Sequence, residues 1–250
     1  MNRLFKPLLI TIAFLICTGA AWGQDWGGTT LRSAANMDYT YIRAAPYADT
    51  NFGAALASTV INGVGAAEES NLLVRMTADP HTGGYTQDIC TLFIYITAST
   101  DSGMIRGYVL QRDWGEGAGN NQTAQAGECS WNAALEGTTD WTTAGAQSTA
   151  SDRQATPACS LYLPAAASKP AYFALEIAGT HLTQDFFDYG IVLTNDGLGG
   201  NYAVIQVISD DNGVEANRPY FNGYESPGAA GTPLSVGAAK LGATKLASPQ

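Results

Sequence analysis

DICTLFIYITAS, residues 88–99, sets Cys90, Leu92, Ile94 and Ile96 at every second position. A period of two is the spacing of a β-strand that buries one face. YVLQR within MIRGYVLQR (104–112) and VIQVIS within YAVIQVIS (202–209) alternate in the same way. Around them lie TYIRA (40–44), LASTVI (56–61), NLLVRM (71–76), YFALEI (172–177), YGIVLTN (189–195) and PYFNGY (219–224). Each is short, rich in β-branched and aromatic residues, and bounded by Gly, Asn, Asp or Pro. Nine such segments without a helical period predict an all-β chain: a single antiparallel β-sandwich or jelly roll with long loops.

The flanks of this pattern read differently. Residues 1–23 carry Arg3 and Lys6, then the apolar run PLLITIAFLICTGAA, then a small-residue cleavage site after Gly23. That is the layout of a secretory signal peptide, so the chain is expected to be secreted. Residues 24–225 form the expected sandwich domain. Residues 226–250, SPGAAGTPLSVGAAKLGATKLASPQ, lack aromatic and acidic side chains and read as a flexible Gly/Ala/Pro tail. Removing Arg3 and Lys6 from the 12 basic residues leaves ten against 22 acidic ones, a net charge of −12. Such a chain repels nucleic acid and anionic lipid, and no later apolar run is long enough to insert into a membrane.

Residues 113–170 are rich in Gly, Ala, Thr, Ser and Asn, with tryptophans spaced among them. They are expected to lie as long loops over the sandwich, pinned by Trp131, Trp141 and a disulfide. Three cysteines follow the signal peptide. Cys90 belongs to a buried strand face, whereas Cys129 and Cys159 sit in polar, loop-like sequence. The Cys129–Cys159 pairing is therefore favoured over either pairing that uses Cys90.

Little else in the sequence carries chemistry. There is no G-x-S-x-G elbow for His81 or His181 to serve, no close His/Cys spacing for zinc, and no phosphate loop. In LQRDWGEG (110–117), Asp113 and Glu116 flank Trp114. Glycosidic hydrolysis uses carboxyls on opposite sides of the sugar, and two residues three apart in one loop seldom face each other so. The reading preferred here is a structural clamp of Trp114, Glu116 and Trp131, with no catalytic residue. Acidic turns supply Asp49 and Asn51 in YADTNFG, and Asp210 and Asp211 in SDDNGVE, as candidate ligands for calcium.

The ordered series TTLRSA, TYIRAAPYADTNFG, NLLVRM, CTLFIYI, LQRDWGEG, SWN, Trp141, YGIVLT and RPYFNGY resembles the DNRLRE domain family, from about Thr29 to Tyr224. The chain departs from that family in placing Asp38 one position from the usual acidic site and NLLVRM at the name motif. The resemblance implies an extracellular β-sandwich, and some relatives are carbohydrate-binding modules. It implies non-catalytic binding of an extracellular polysaccharide or matrix; the chain's own supply of Trp, Tyr and Phe offers Tyr47, Trp141 and Tyr189 as exposed candidates for stacking on sugar rings. The alternative is a structural subunit of an extracellular filament or surface layer. Such a subunit would self-associate by adding residues 24–35 or 226–250 as a strand to a neighbour's sheet.

Overall fold

The computed structural model describes residues 36–61, 69–77, 86–196 and 203–226. The expected signal peptide, residues 24–35, His81 and the expected tail beyond residue 226 lie outside the described residues. The strands are β1 (Met37–Arg43), β2 (Thr50–Asn51), β3 (Ala57–Ile61), β4 (Ser70–Met76), β5 (Thr86–Ser99), β6 (Gly103–Val109) and β7 (Gln122–Thr123). They continue with β8 (Ala133–Leu135), β9 (Thr139–Asp140), β10 (Cys159–Leu163), β11 (Ala171–Ala178), β12 (Ile191–Asp196), β13 (Val204–Ile208) and β14 (Tyr220–Ser226). Among the described residues one short α-helix, α1 (Gln184–Tyr189), interrupts them. No helix among the described residues is long and apolar enough to cross a membrane.

The fold is an all-β sandwich built from a curled antiparallel sheet. The strands run in the order β10-β6-β12-β4-β3-β13-β5-β11, with β1 on β4 and β14 on β5. Alternation assigns the faces. Leu72, Val74 and Met76 of β4, Ile191 and Leu193 of β12, and Ile105 and Val109 of β6 point inward. They meet Leu92, Ile94 and Ile96 of β5, Leu175 and Ile177 of β11, and Ile205 and Val207 of β13 in one core. Burying a side chain of this size stabilises by about 1.5–3 kcal/mol, so this interior dominates the fold.

Half of the sheet buries its other face too. Leu73 of β4, Val192 of β12, Tyr108 of β6 and Ile42 of β1 enter a second core with Leu110, Trp114, Cys129, Trp131, Ala134, Trp141 and Ala146. The long 113–170 region therefore lies over this face as a packed layer. It also contributes a strand absent from the sequence reading, since β10 pairs antiparallel with β6, Cys159 opposite Gly107. Cys159, Leu161 and Leu163 keep the period of two that would have revealed it.

The expected Cys129–Cys159 disulfide is not formed. Cys90, Cys129 and Cys159 are all free and buried. The reason is topological: Cys159 faces the main core from β10, while Cys129 belongs to the second core on the other side of the sheet. Tryptophan packing holds the loop layer instead.

Tyr189, expected to open a strand, ends α1. Gly190 follows with φ 74° and ψ −146°, a positive-φ conformation that favours glycine, and its amide donates to the Phe186 carbonyl. A Cβ there would lie 2.1 Å from the Val74 carbonyl oxygen, so both conformation and space demand glycine.

Candidate functional site: a capped sheet edge and an aromatic outer face

LQRDWGEG lies at the junction of the two cores. Trp114 is 1% exposed, and its indole Nε1 donates to the Tyr189 carbonyl at 2.8 Å. The Arg75 guanidinium covers its ring at 4.9 Å and is ion-paired with Asp38 and Asp113. Asp113 also accepts the Trp114 amide at 2.9 Å. Glu116 Oε1 accepts the backbone amide of Tyr39 at 2.7 Å. β4 is the only strand that pairs with β1 among the described residues, so this carboxylate caps an amide facing away from β4.

A polar hub missed in the sequence organises the same loops. Asn51 Nδ2 donates to the carbonyls of Glu116 (2.7 Å) and Cys129 (3.0 Å), while Oδ1 accepts the amides of Gly53 (3.1 Å) and Gly119 (2.8 Å). An amide so engaged cannot serve as a cation ligand, which corrects the expectation for Asn51. Asp49 accepts the Asn132 side-chain amide at 2.7 Å. A second hub is Asp152, fully buried, which accepts the amides of Thr142, Thr143 and Ser148 and pairs with Arg112. Buried side chains that tie up loop backbone in this way act structurally.

Asp210 and Asp211 lie at the far end of β13, within electrostatic reach of Glu116. Burial, then repulsion from Asp210, Asp38 and Asp211, pushes Glu116 up to about 8, against the opposing Tyr39 hydrogen bond. Asp210 rises to about 7, through burial first and Asp211 second. The Tyr39 hydroxyl titrates well above its usual range, through burial and then Asp210. Tyr39 Oη, Ser58 Oγ, Ser209 Oγ and Asp210 Oδ1 are buried without a hydrogen-bond partner. Among the described residues, no three His, Cys, Asp or Glu side chains converge to hold a metal ion.

The expected sugar-stacking residues do not form a shared exposed platform. Trp141 is 4% exposed, and its Nε1 donates to the Ser130 carbonyl at 3.0 Å, so its ring is enclosed in the second core. That corrects its assignment. Tyr189 is half-buried against the same core. Tyr47 is half-buried between the Arg43 guanidinium, 4.5 Å from its ring, and Phe52. His181 lies with Nδ1 3.5 Å from Gln154 Oε1.

Four other aromatic rings do share a surface. Leu92, Ile94 and Ile96 of β5 point inward, so Phe93 and Tyr95 point outward, half-buried. β11 runs along one edge of β5 and β14 along the other, with Tyr172 opposite Tyr95 and Tyr220 opposite Phe93. Phe93 and Tyr220 stack at 4.6 Å and 11°. Tyr172 meets Tyr95 and Tyr220 edge to face, with centroids 5.0 and 5.4 Å away. The Tyr172 hydroxyl lies 2.6 Å from the Ala216 carbonyl and 2.7 Å from that of Arg218, which fixes its ring. Sequence reasoning passed over this group because each strand supplies only one or two of its members.

No family model matches the chain, and no curated protein matches it.

Proposed function

We propose that this protein is a secreted, non-catalytic β-sandwich that binds an extracellular polysaccharide on the outer face of β5, β11 and β14. The observation that carries this reading is the contiguous aromatic group Phe93, Tyr95, Tyr172 and Tyr220. Aromatic faces carry negative partial charge, which suits the polarised C–H groups on a sugar ring. The ring positions are set by strand register and by the tethered Tyr172 hydroxyl, so little ordering is needed on binding. The resemblance to DNRLRE modules and the secretory leader support the same assignment. The non-catalytic reading draws on the enclosure of Asp210 and the commitment of Glu116 Oε1 to the Tyr39 amide.

The test is retention of the purified protein on a panel of insoluble and gel-embedded polysaccharides, with calcium and with a chelator. The expected outcome is retention on at least one polymer without sugar release, and retention on none contradicts the reading. A second reading, assembly by strand addition, draws on β10 and β11. Each has a single strand partner among the described residues, and Tyr162 of β10 is 52% exposed. Fibres in electron micrographs of the purified protein would favour it.

A further inference from the structure

The outer face holds a slot whose chemistry narrows the ligand. Strand register places Ala174 of β11, Phe93 of β5 and Tyr220 of β14 in one row across the sheet. Tyr220 stacks on one face of Phe93. Ala174 lies on the opposite side of β5 from Tyr220, is exposed, and carries only a methyl group. Along β11 the next outward residues are Tyr172 on one side and Glu176 on the other. Outward positions recur about every 6.6 Å along a strand, so these two stand about 13 Å apart. Tyr172 is held by the carbonyls of Ala216 and Arg218 and does not fold over Ala174. The slot so defined has a methyl floor at Ala174, Phe93 beside it, a tyrosine at one end and a carboxylate at the other.

The polar row beside it consists of Glu176, Thr91 and Asn222, which lie opposite one another on β11, β5 and β14. Glu176 is exposed, and Asn222 Oδ1 is buried without a hydrogen-bond partner. An ionised carboxylate accepts hydrogen bonds from hydroxyl groups and repels uronate and sulfate. The basic residue next to the tethered Tyr172 is Arg218, whose Nε donates to the Asn212 carbonyl at 2.7 Å. The chain as a whole is strongly acidic, with net charge −10 including the leader.

We propose that the slot over Ala174 takes one sugar ring of a neutral polysaccharide, with the ring's C–H face on Phe93 and its hydroxyls donating to Glu176. This rests on the polysaccharide-binding reading above and goes further in naming the ligand class and the contact residues.

Affinity electrophoresis of the mature chain tests it. The gels contain hydroxyethylcellulose, mixed-linkage β-glucan or arabinoxylan as neutral polymers, and alginate, polygalacturonate or dextran sulfate as anionic ones. Ala174→Leu fills the slot at an exposed strand position, and Glu176→Gln removes the charge while keeping an acceptor. Thermal melts establish that both variants are folded. The expected result is retardation on a neutral polymer, weakened about tenfold or more by Ala174→Leu, with none on the anionic gels. Retardation only on anionic gels overturns the neutral-ligand inference and leaves polysaccharide binding standing. Neutral binding that is unchanged in folded Ala174→Leu overturns the slot. Retardation on no gel overturns both this inference and the function it rests on.

Discussion

Glu116 and the backbone of Tyr39 meet at 2.7 Å across 77 residues of sequence. The bond joins the loop after β6 to the open edge of the first described strand. It makes the tryptophan–glutamate stretch a fastening between the loop layer and the sheet. It also holds a carboxylate in partly enclosed surroundings near Asp210, Asp38 and Asp211.

That placement sets an unusual dependence on pH. Folding raises Glu116 to about 8 and Asp210 to about 7, both above the ordinary carboxylate range near 4. Between those limits the native state binds more protons than the unfolded chain. Their contribution to stability is therefore fully present below pH 4 and is lost as pH rises toward 8. The melting temperature is expected to fall between pH 5 and 8.5. Glu116→Gln retains an acceptor for Tyr39 without the charge and should flatten the decline. A melting temperature that climbs over this range contradicts the assignment.

Trp114 contributes through its area and its indole bond to Tyr189. Trp114→Ala should cost about 3–5 kcal/mol, as large aromatic truncations in packed cores do. Urea unfolding read by circular dichroism checks this, because a lower midpoint at unchanged slope reports lost stability. A cost below about 1 kcal/mol would show that the loop layer does not depend on this ring.

The three thiols give an independent check on the two-core arrangement. Burial pushes Cys90 and Cys129 far above the usual thiol range and Cys159 up to about 12. The thiolate is the reactive form, so native protein at pH 8 should resist an aromatic disulfide reagent. Residues 24–250, unfolded without reductant, should then yield three thiols. A yield of one would reinstate a disulfide.

The strands were legible in the sequence because alternation reports burial directly. All nine expected segments correspond to strands of the sheet, with ends shifted by a few residues. The loop layer was less legible. Trp141, set among Thr, Gly and Ala, reads as exposed, and only the fold reveals the Ser130 carbonyl that receives its indole. Asn51 resembles a cation ligand in YADTNFG, whereas its four hydrogen bonds reach three separate loop segments. The aromatic face was hidden for another reason. Residues 93, 95, 172 and 220 become neighbours only through the register of β5 with β11 and β14, which no local pattern encodes.

The most direct test of the account is the binding of a Phe93→Ala, Tyr220→Ala double variant to whichever polysaccharide retains the wild type. Affinity electrophoresis measures it, with a thermal melt run alongside. Both rings are half-buried on the outer face, so the variant is expected to fold with a modestly lower melting temperature and to lose retention. A folded double variant retained as strongly as the wild type would contradict the assignment of this face.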